Sequence, residues 1–264
     1  MDILKKNLAP VTADAWETIT SRAKRIFASQ LTARKFVDLN GPKGWDYGGV
    51  PLGHLEIPKG GQSGDVTYGI NEVLPLVELR VPFTLNIWEL DNITRGAKDT
   101  DLSSLEDAAR HAAEFEEKAI YYGFQQGRIQ GLKERSPYDP VACPADAEGV
   151  LQCVPEGISR LKQSSILGPY SLVVNPTEWK EITSYAQGYP LKRQVEQNLD
   201  AEIIFCPHIQ GMFLVSERGG DFLLTQGVDF SIGYEGHDNQ EVRLYFTESF
   251  TFQVLEPRSV VVFE

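Results

Sequence analysis

Residues 45–80 read WDYGGVPLGHLEIPKGGQSGDVTYGINEVLPLVELR. Extended segments flank a glycine-rich tip, Pro58-Lys59-Gly60-Gly61-Gln62-Ser63-Gly64, which predicts a long β-hairpin. Two strands alone are marginal in water. The arm therefore needs something else to pair with, and a neighbouring subunit is the obvious candidate.

Residues 1–47 read as an arm and a helix. After Pro10 and a capping Thr12 or Asp14, the apolar positions Trp16, Ile19, Ala23, Ile26, Phe27 and Leu31 recur at helical spacing, so one face must be buried. On the other side, a long amphipathic helix starts at the capping box Ser103-Ser104-Leu105-Glu106, carries Leu105, Ala109, Ala112, Phe115 and Ala119, and stops at Gly123. Residues 145–200 alternate between helix (Val150, Val154, Ile158, Leu161), turn (Gly168-Pro169), strand (Tyr170 to Val174) and helix (Trp179, Ile182). After Gly188-Tyr189-Pro190 and a short helix, strands dominate: Glu202 to Phe205, Met212 to Val215, and the run from Val242 to Phe263. Helices and strands are segregated, which argues an α+β class over a doubly wound sheet.

The 264 residues are 42% hydrophobic, enough for a substantial core, and carry a net charge of −12, which opposes nucleic acid as a partner. No apolar run approaches the roughly 20 residues of a membrane span, and the N-terminus lacks an apolar signal core. Cys143, Cys153 and Cys206 are odd in number, widely spaced and without a CxxC pair, so reduced thiols in a cytoplasm are expected. Phosphate-loop, serine-hydrolase and zincin motifs are absent, and none of the four histidines stands beside a nucleophile, so the sequence argues against an enzyme. His111 with Glu114, Glu116 and Glu117 is the best metal candidate, but a solvated helix face explains it better. In Trp88-Glu89-Leu90-Asp91-Asn92 the indole is read as core in preference to a stacking platform for a flat ligand.

Several segments in order resemble the encapsulin family, also described as linocin-type bacteriocins. They include Arg34-Lys35-Phe36-Val37-Asp38 leading to Gly41-Pro42-Lys43-Gly44-Trp45, then Leu74-Pro75-Leu76-Val77-Glu78-Leu79-Arg80, and Phe83-Thr84-Leu85-Asn86-Ile87-Trp88-Glu89-Leu90-Asp91-Asn92. Further on stand Gly168-Pro169-Tyr170, Val215-Ser216-Glu217-Arg218-Gly219-Gly220-Asp221-Phe222, Ser231-Ile232-Gly233-Tyr234-Glu235 and Thr247-Glu248-Ser249-Phe250-Thr251-Phe252-Gln253-Val254. The resemblance implies the capsid fold of tailed-phage major capsid proteins (Hong Kong 97 type). Its parts would be an N-terminal arm and helix at 1–47, an extended β-hairpin loop at 48–80, a peripheral domain at 81–144 and 201–264 with the long helix as spine, and an axial domain at 145–200. It further implies a cytoplasmic compartment, a hollow icosahedron of sixty copies enclosing a cargo enzyme, either a ferritin-like iron-storage protein or a dye-decolorising peroxidase.

In that family a targeting peptide of the cargo lies in an apolar groove on the inner wall. Carried over by motif, Arg34, Asp38, Phe230, Ile232 and Tyr234 are the residues expected to hold it, the apolar ones reading alternate side chains and the charged pair fixing register. A shell-bound flavin, FMN or a relative, would involve Arg80, Trp88 and Asp91, with Tyr189 approaching from an adjacent axial domain. Here Val81-Pro82 follows Arg80 directly, and proline supplies no backbone donor. A prophage-type capsid protein packaging nucleic acid is the alternative, and a flavoprotein or protease ranks third.

Overall fold

The computed structural model describes residues 3–58, 62–144, 146–185 and 190–264. Helix α1 (Ala13–Gln30) begins where the Thr12 hydroxyl accepts the Ala15 amide at 3.3 Å, and it buries Ile19, Ala23, Ile26 and Phe27 as their spacing requires. The strands β1 (Asp38–Asn40), β2 (Gly49–Glu56), β3 (Gln62–Ser63), β4 (Val66–Thr67), β5 (Ile70–Pro75) and β6 (Val77–Asn86) follow. Next come α2 (Ile87–Thr94), α3 (Ser103–Tyr122), α4 (Leu132–Arg135), α5 (Ala147–Gln163), β7 (Tyr170–Val174), α6 (Pro176–Ser184) and α7 (Leu191–Leu199). The chain ends in β8 (Ile203–Phe205), β9 (Met212–Ser216), β10 (Phe222–His237), β11 (Glu241–Val254) and β12 (Val260–Phe263).

One sheet runs β1-β10-β11-β6, with β10, β11 and β6 antiparallel and β1 parallel to the start of β10. Helices α1 and α3 pack together on one face of it, and Leu105, Ala109, Ala112, Ile120 and Tyr121 of α3 join Phe83, Leu244, Phe246 and Phe250 in the larger core. The long helix ends at Gly123 as expected, because φ of +88° there is open to glycine at little cost. Its start differs from the capping-box reading. Leu102 occupies the cap position, and the Asp101 carboxylate accepts the Ser103 amide at 2.9 Å, while the Ser104 hydroxyl accepts the Thr84 amide at 3.3 Å. Ser104 thus ties the helix to β6 rather than closing its own first turn.

A second sheet runs β12-β9-β7-β8. Its strands, YSLVV, MFLVS and VVVF, are apolar almost without interruption, the signature of burial on both faces. Val173, Phe213, Val215, Val260 and Val262 point into the larger core, while Leu172, Val174, Met212, Leu214, Val261 and Phe263 point into a second one made by α5, α6 and α7. Close approach of α5 to this sheet requires Gly157, since a Cβ there would stand 2.7 Å from the Phe263 ring. The two cores therefore share one wall.

Contrary to the expectation of free thiols, Cys143 and Cys153 form a disulfide with Cα atoms 5.6 Å apart. Cys143 lies on the segment whose amide bonds the Glu264 carbonyl, and Cys153 lies on α5, so the bridge ties helix to C-terminal strand. Sequence spacing gave no sign of it, because the two thiols meet only once α5 docks. Cys206 is a buried free thiol.

The hairpin arm stands apart. Among the described residues β2 pairs with β5 alone, and β3 with β4 alone.

Candidate functional site

The seam between α1 and β10 is the first place where the expected residues meet. Phe230, Ile232 and Tyr234 alternate along β10 and so share one face. Phe27 from α1 stacks on Phe230 with ring centroids 4.1 Å apart and 12° between planes, and meets Phe246 edge-on at 5.2 Å. Ile232 is only 5% exposed and belongs to the core, whereas Phe230 and Tyr234 are half-buried on either side of it. The Tyr234 amide donates to the Leu4 carbonyl at 2.8 Å, so the N-terminal segment lies along the same strand. The result is an apolar floor edged by aromatic rings.

Arg34 closes one end of this seam from a 3-10 turn (Ala33–Lys35) just beyond α1. Its guanidinium lies over the Phe230 ring at 5.3 Å. Nε and Nη2 donate to Glu116, Nη2 also to Glu248 at 2.7 Å, and Nη1 to Asp229 at 2.9 Å. Burial on its own would lower the pKa of this guanidinium, but the bonds and charges of the three carboxylates outweigh it and hold the group above its ordinary value. Arg34 thus works inward, joining α1, α3 and the sheet. Asp38 takes a different partner, accepting the Gly220 amide at 2.6 Å, so no Arg34–Asp38 pair forms.

The second expected group is spread along β6 and α2. Arg80 pairs with Glu78 at 3.0 Å and lies over the Tyr245 ring at 5.0 Å. Trp88 is 65% exposed, which corrects its reading as core, and Arg95 lies over its ring at 5.9 Å while pairing with Asp91 at 3.6 Å. Arg80 and Asn86 are six residues apart on one strand, about 20 Å. Within one chain the Arg80 side chain and those of Trp88 and Asp91 do not converge on a common point, so they do not form a flavin site by themselves. Tyr189 lies outside the described residues.

The sequence reading missed the carboxylates around Arg34. Glu116 and Glu117 were expected on a solvated face, yet both are fully buried, because α3 is covered by α1 on one side and by the sheet on another. Glu117 accepts the Thr32 hydroxyl and the Ala33 amide, and the Cys206 thiol lies 3.4 Å away. Burial pushes the Glu117 carboxyl up to about 7, and pushes the Cys206 thiol up to about 12, which leaves that thiol a poor nucleophile. His111 is exposed and Glu114 pairs with Lys118 at 2.7 Å, so the four candidate metal ligands do not converge. Two adjacent glutamates inside an otherwise alanine-rich helix were the one available signal, and nothing local said which way they faced.

The profile of the family described as "Encapsulating protein for peroxidase" matches residues 1–251. A type 1 encapsulin shell protein of Rhodospirillum rubrum is 41% identical over 268 residues, spanning 99% of this chain and 96% of that protein. Another from Rhodococcus erythropolis is 38% identical, spanning 99% of each. Among solved structures, a virus-like particle from Pyrococcus furiosus superposes with a TM-score of 0.66 at 16% identity, covering 94% of this chain and 99% of that one. The capsid of an empty GTA particle superposes at 0.58 with 12% identity, covering 88% and 89%. At such identities the likeness is one of fold, and that fold is the tailed-phage capsid type within the α+β class.

Proposed function

The chain belongs to the encapsulin shell-protein family, and on that premise we propose that copies of it close into a hollow icosahedral shell, sixty to a particle, around a cargo enzyme. One observation carries the reading. Among the described residues the arm exposes Leu55, Ile57, Val66, Tyr68, Ile70 and Val73, each at 45% or more, and its strands pair with neither of the two larger sheets. Apolar surface on this scale marks an interaction site. A second copy laid along the arm covers it, and a head-to-tail contact of that kind closes into rings when its rotation permits. Negative-stain microscopy and light scattering of the purified protein test this: uniform closed particles are expected, and a stable monomer at high concentration would overturn it.

The same reading assigns the α1–β10 seam to the cargo's targeting peptide. Half-buried Phe230 and Tyr234 supply apolar edges, Asp38 lies on the neighbouring strand, and Arg34 acts through the ring of Phe230 that it covers. Ile232 forms the floor beneath, so its replacement by Asp would damage the fold and report nothing about loading. Tyr234→Asp is the sharper test, because that ring is half-buried and its hydroxyl meets the exposed His237. Intact but empty particles are expected, and normal loading would reject the seam. The family description names a peroxidase, which puts that cargo ahead of an iron-storage protein, and mass spectrometry of natively purified particles decides between them. A nucleic-acid-like absorbance ratio surviving nuclease would instead favour a genome-packaging capsid.

A further inference from the structure

The carboxylates around Arg34 have no evident part in building a shell, and two of them are in an unusual position. Glu116 on α3 and Glu248 on β11 have no solvent exposure, and both accept from the same Arg34 nitrogen, Nη2. Their facing oxygens therefore lie no farther apart than two hydrogen bonds laid end to end. Among the described residues the one guanidinium bonded to them is shared with a third acid, Asp229, at the rim. Gln226 donates to Glu248 Oε1 at 2.9 Å and to Asp229 at 3.0 Å. The other oxygen of Glu248, Oε2, is buried and has no hydrogen-bond partner among the described residues.

The strand pairing explains how the acids come together. Between Val228 and Ser231 the register of β10 against β11 shifts, leaving Asp229 and Phe230 as a bulge opposite Glu248. The bulge turns Asp229 toward Arg34. On the β6 side Glu248 stands opposite Leu79, while Glu78 and Arg80 occupy the other face and pair with one another. Glu117, next to Glu116 on α3, bonds Thr32, Ala33 and Cys206. Among the described residues no second cation bonds the pair.

Two carboxylates at this separation, sealed from water and sharing one positive charge with a third, cannot both ionise without leaving an uncompensated buried charge. A single proton removes the conflict. We propose that Glu248 keeps its proton at neutral pH and donates it to Glu116, making the pair a latch that fastens α3 to β11 while protonated and loosens when the proton passes to solvent. The direction of titration agrees: burial first, and then the Glu116 charge, hold the Glu248 carboxyl well above the usual carboxylate range. For an acid raised in the folded state, the folded protein binds more protons than the unfolded chain at pH above the ordinary value. The contribution to stability is therefore greatest in acid and declines as pH rises.

The test needs no assumption about assembly or cargo. Infrared difference spectra at pH 7 read protonated carboxyls directly through their carbonyl stretch and its shift in heavy water. Since Glu117 also titrates near neutrality, the measurement uses Glu117→Gln as background. A protonated-carboxyl band is expected to persist in Glu117→Gln, to disappear when Glu248→Gln is added, and to fade with rising pH in step with the thermal midpoint. Should the double variant fail to fold, Glu117→Gln/Glu248→Met replaces it, and the band is again lost. Absence of the band in Glu117→Gln at pH 7, or its survival in whichever of these double variants folds, overturns the proposal.

Discussion

The hairpin arm and the β6–β11–β10 sheet use the same residue types and differ in what lies against them. In the sheet Phe246, Phe250 and Phe252 are at most 1% exposed, whereas in the arm Leu55, Ile57 and Ile70 are more than half exposed. Both segments are extended and rich in β-branched and aromatic side chains, so local preference does not separate them. The sheet is dry because α1 and α3, drawn from elsewhere in the same chain, lie across it. The arm extends beyond the reach of those helices. Burial is thus a property of the neighbour, and on the proposed reading the arm's neighbour is another copy of the chain.

The largest effect falls on the sheet. Phe246 fits between Phe27 and Phe83, with ring centroids 5.2 and 4.8 Å away. Phe246→Ala should cost about 3–5 kcal/mol, as expected for loss of a buried ring and the cavity it leaves. Denaturant unfolding of the chain measures it, and a cost under ~1 kcal/mol would mean that the sheet is less tightly covered than its burial indicates.

How far this division could be read from sequence follows from the same distinction. Helix α1 was legible down to its cap, because one stripe of apolar residues and Thr12 specify it locally. Helix α3 was legible as a helix but not in its surroundings. It is covered by two different partners, so Ala108 beside Ala109, Ala112 beside Ala113 and Glu116 beside Glu117 are buried in adjacent pairs that a one-stripe reading excludes. The arm was the clearest feature, since its glycine-rich tip and extended flanks both lie in one continuous stretch. Of the candidate site, Phe230, Ile232 and Tyr234 were recoverable as a motif on one strand face. The buried carboxylates were not, because Glu248 meets Glu116 and Arg34 only after three distant segments converge.

The second core offers an intermediate case, since it shares a wall with the first but is fastened by the Cys143–Cys153 bridge. The ten-residue separation closes a short loop, for which the chain-entropy account gives about 2–3 kcal/mol. Reduction, or Cys143→Ser with Cys153→Ser, should lower stability by that order and should act first on α5. Amide hydrogen exchange distinguishes the regions. Faster exchange in α5 with α3 unchanged is expected, and uniform acceleration in both would show that the two cores open as one unit.

The smallest effect on the chain itself is expected in the arm, and it bears most directly on the comparison. Ile70 is 55% exposed on β5, where it pairs with Glu56 at the far end of the two-stranded sheet. Ile70→Ser removes a side chain with little to lose inside its own subunit, so the unfolding free energy of the unassembled chain should change by no more than about 0.5 kcal/mol. In a closed shell the same substitution recurs at every copy, and each loss of apolar contact adds to the others. Fewer or less stable particles, measured by light scattering across a denaturant or salt series, are therefore expected from a variant whose fold is unharmed. If Ile70→Ser instead destabilised the unassembled chain as much as a core truncation, the arm would have a partner within its own subunit. The contrast between wet arm and dry sheet would then fail where it matters most.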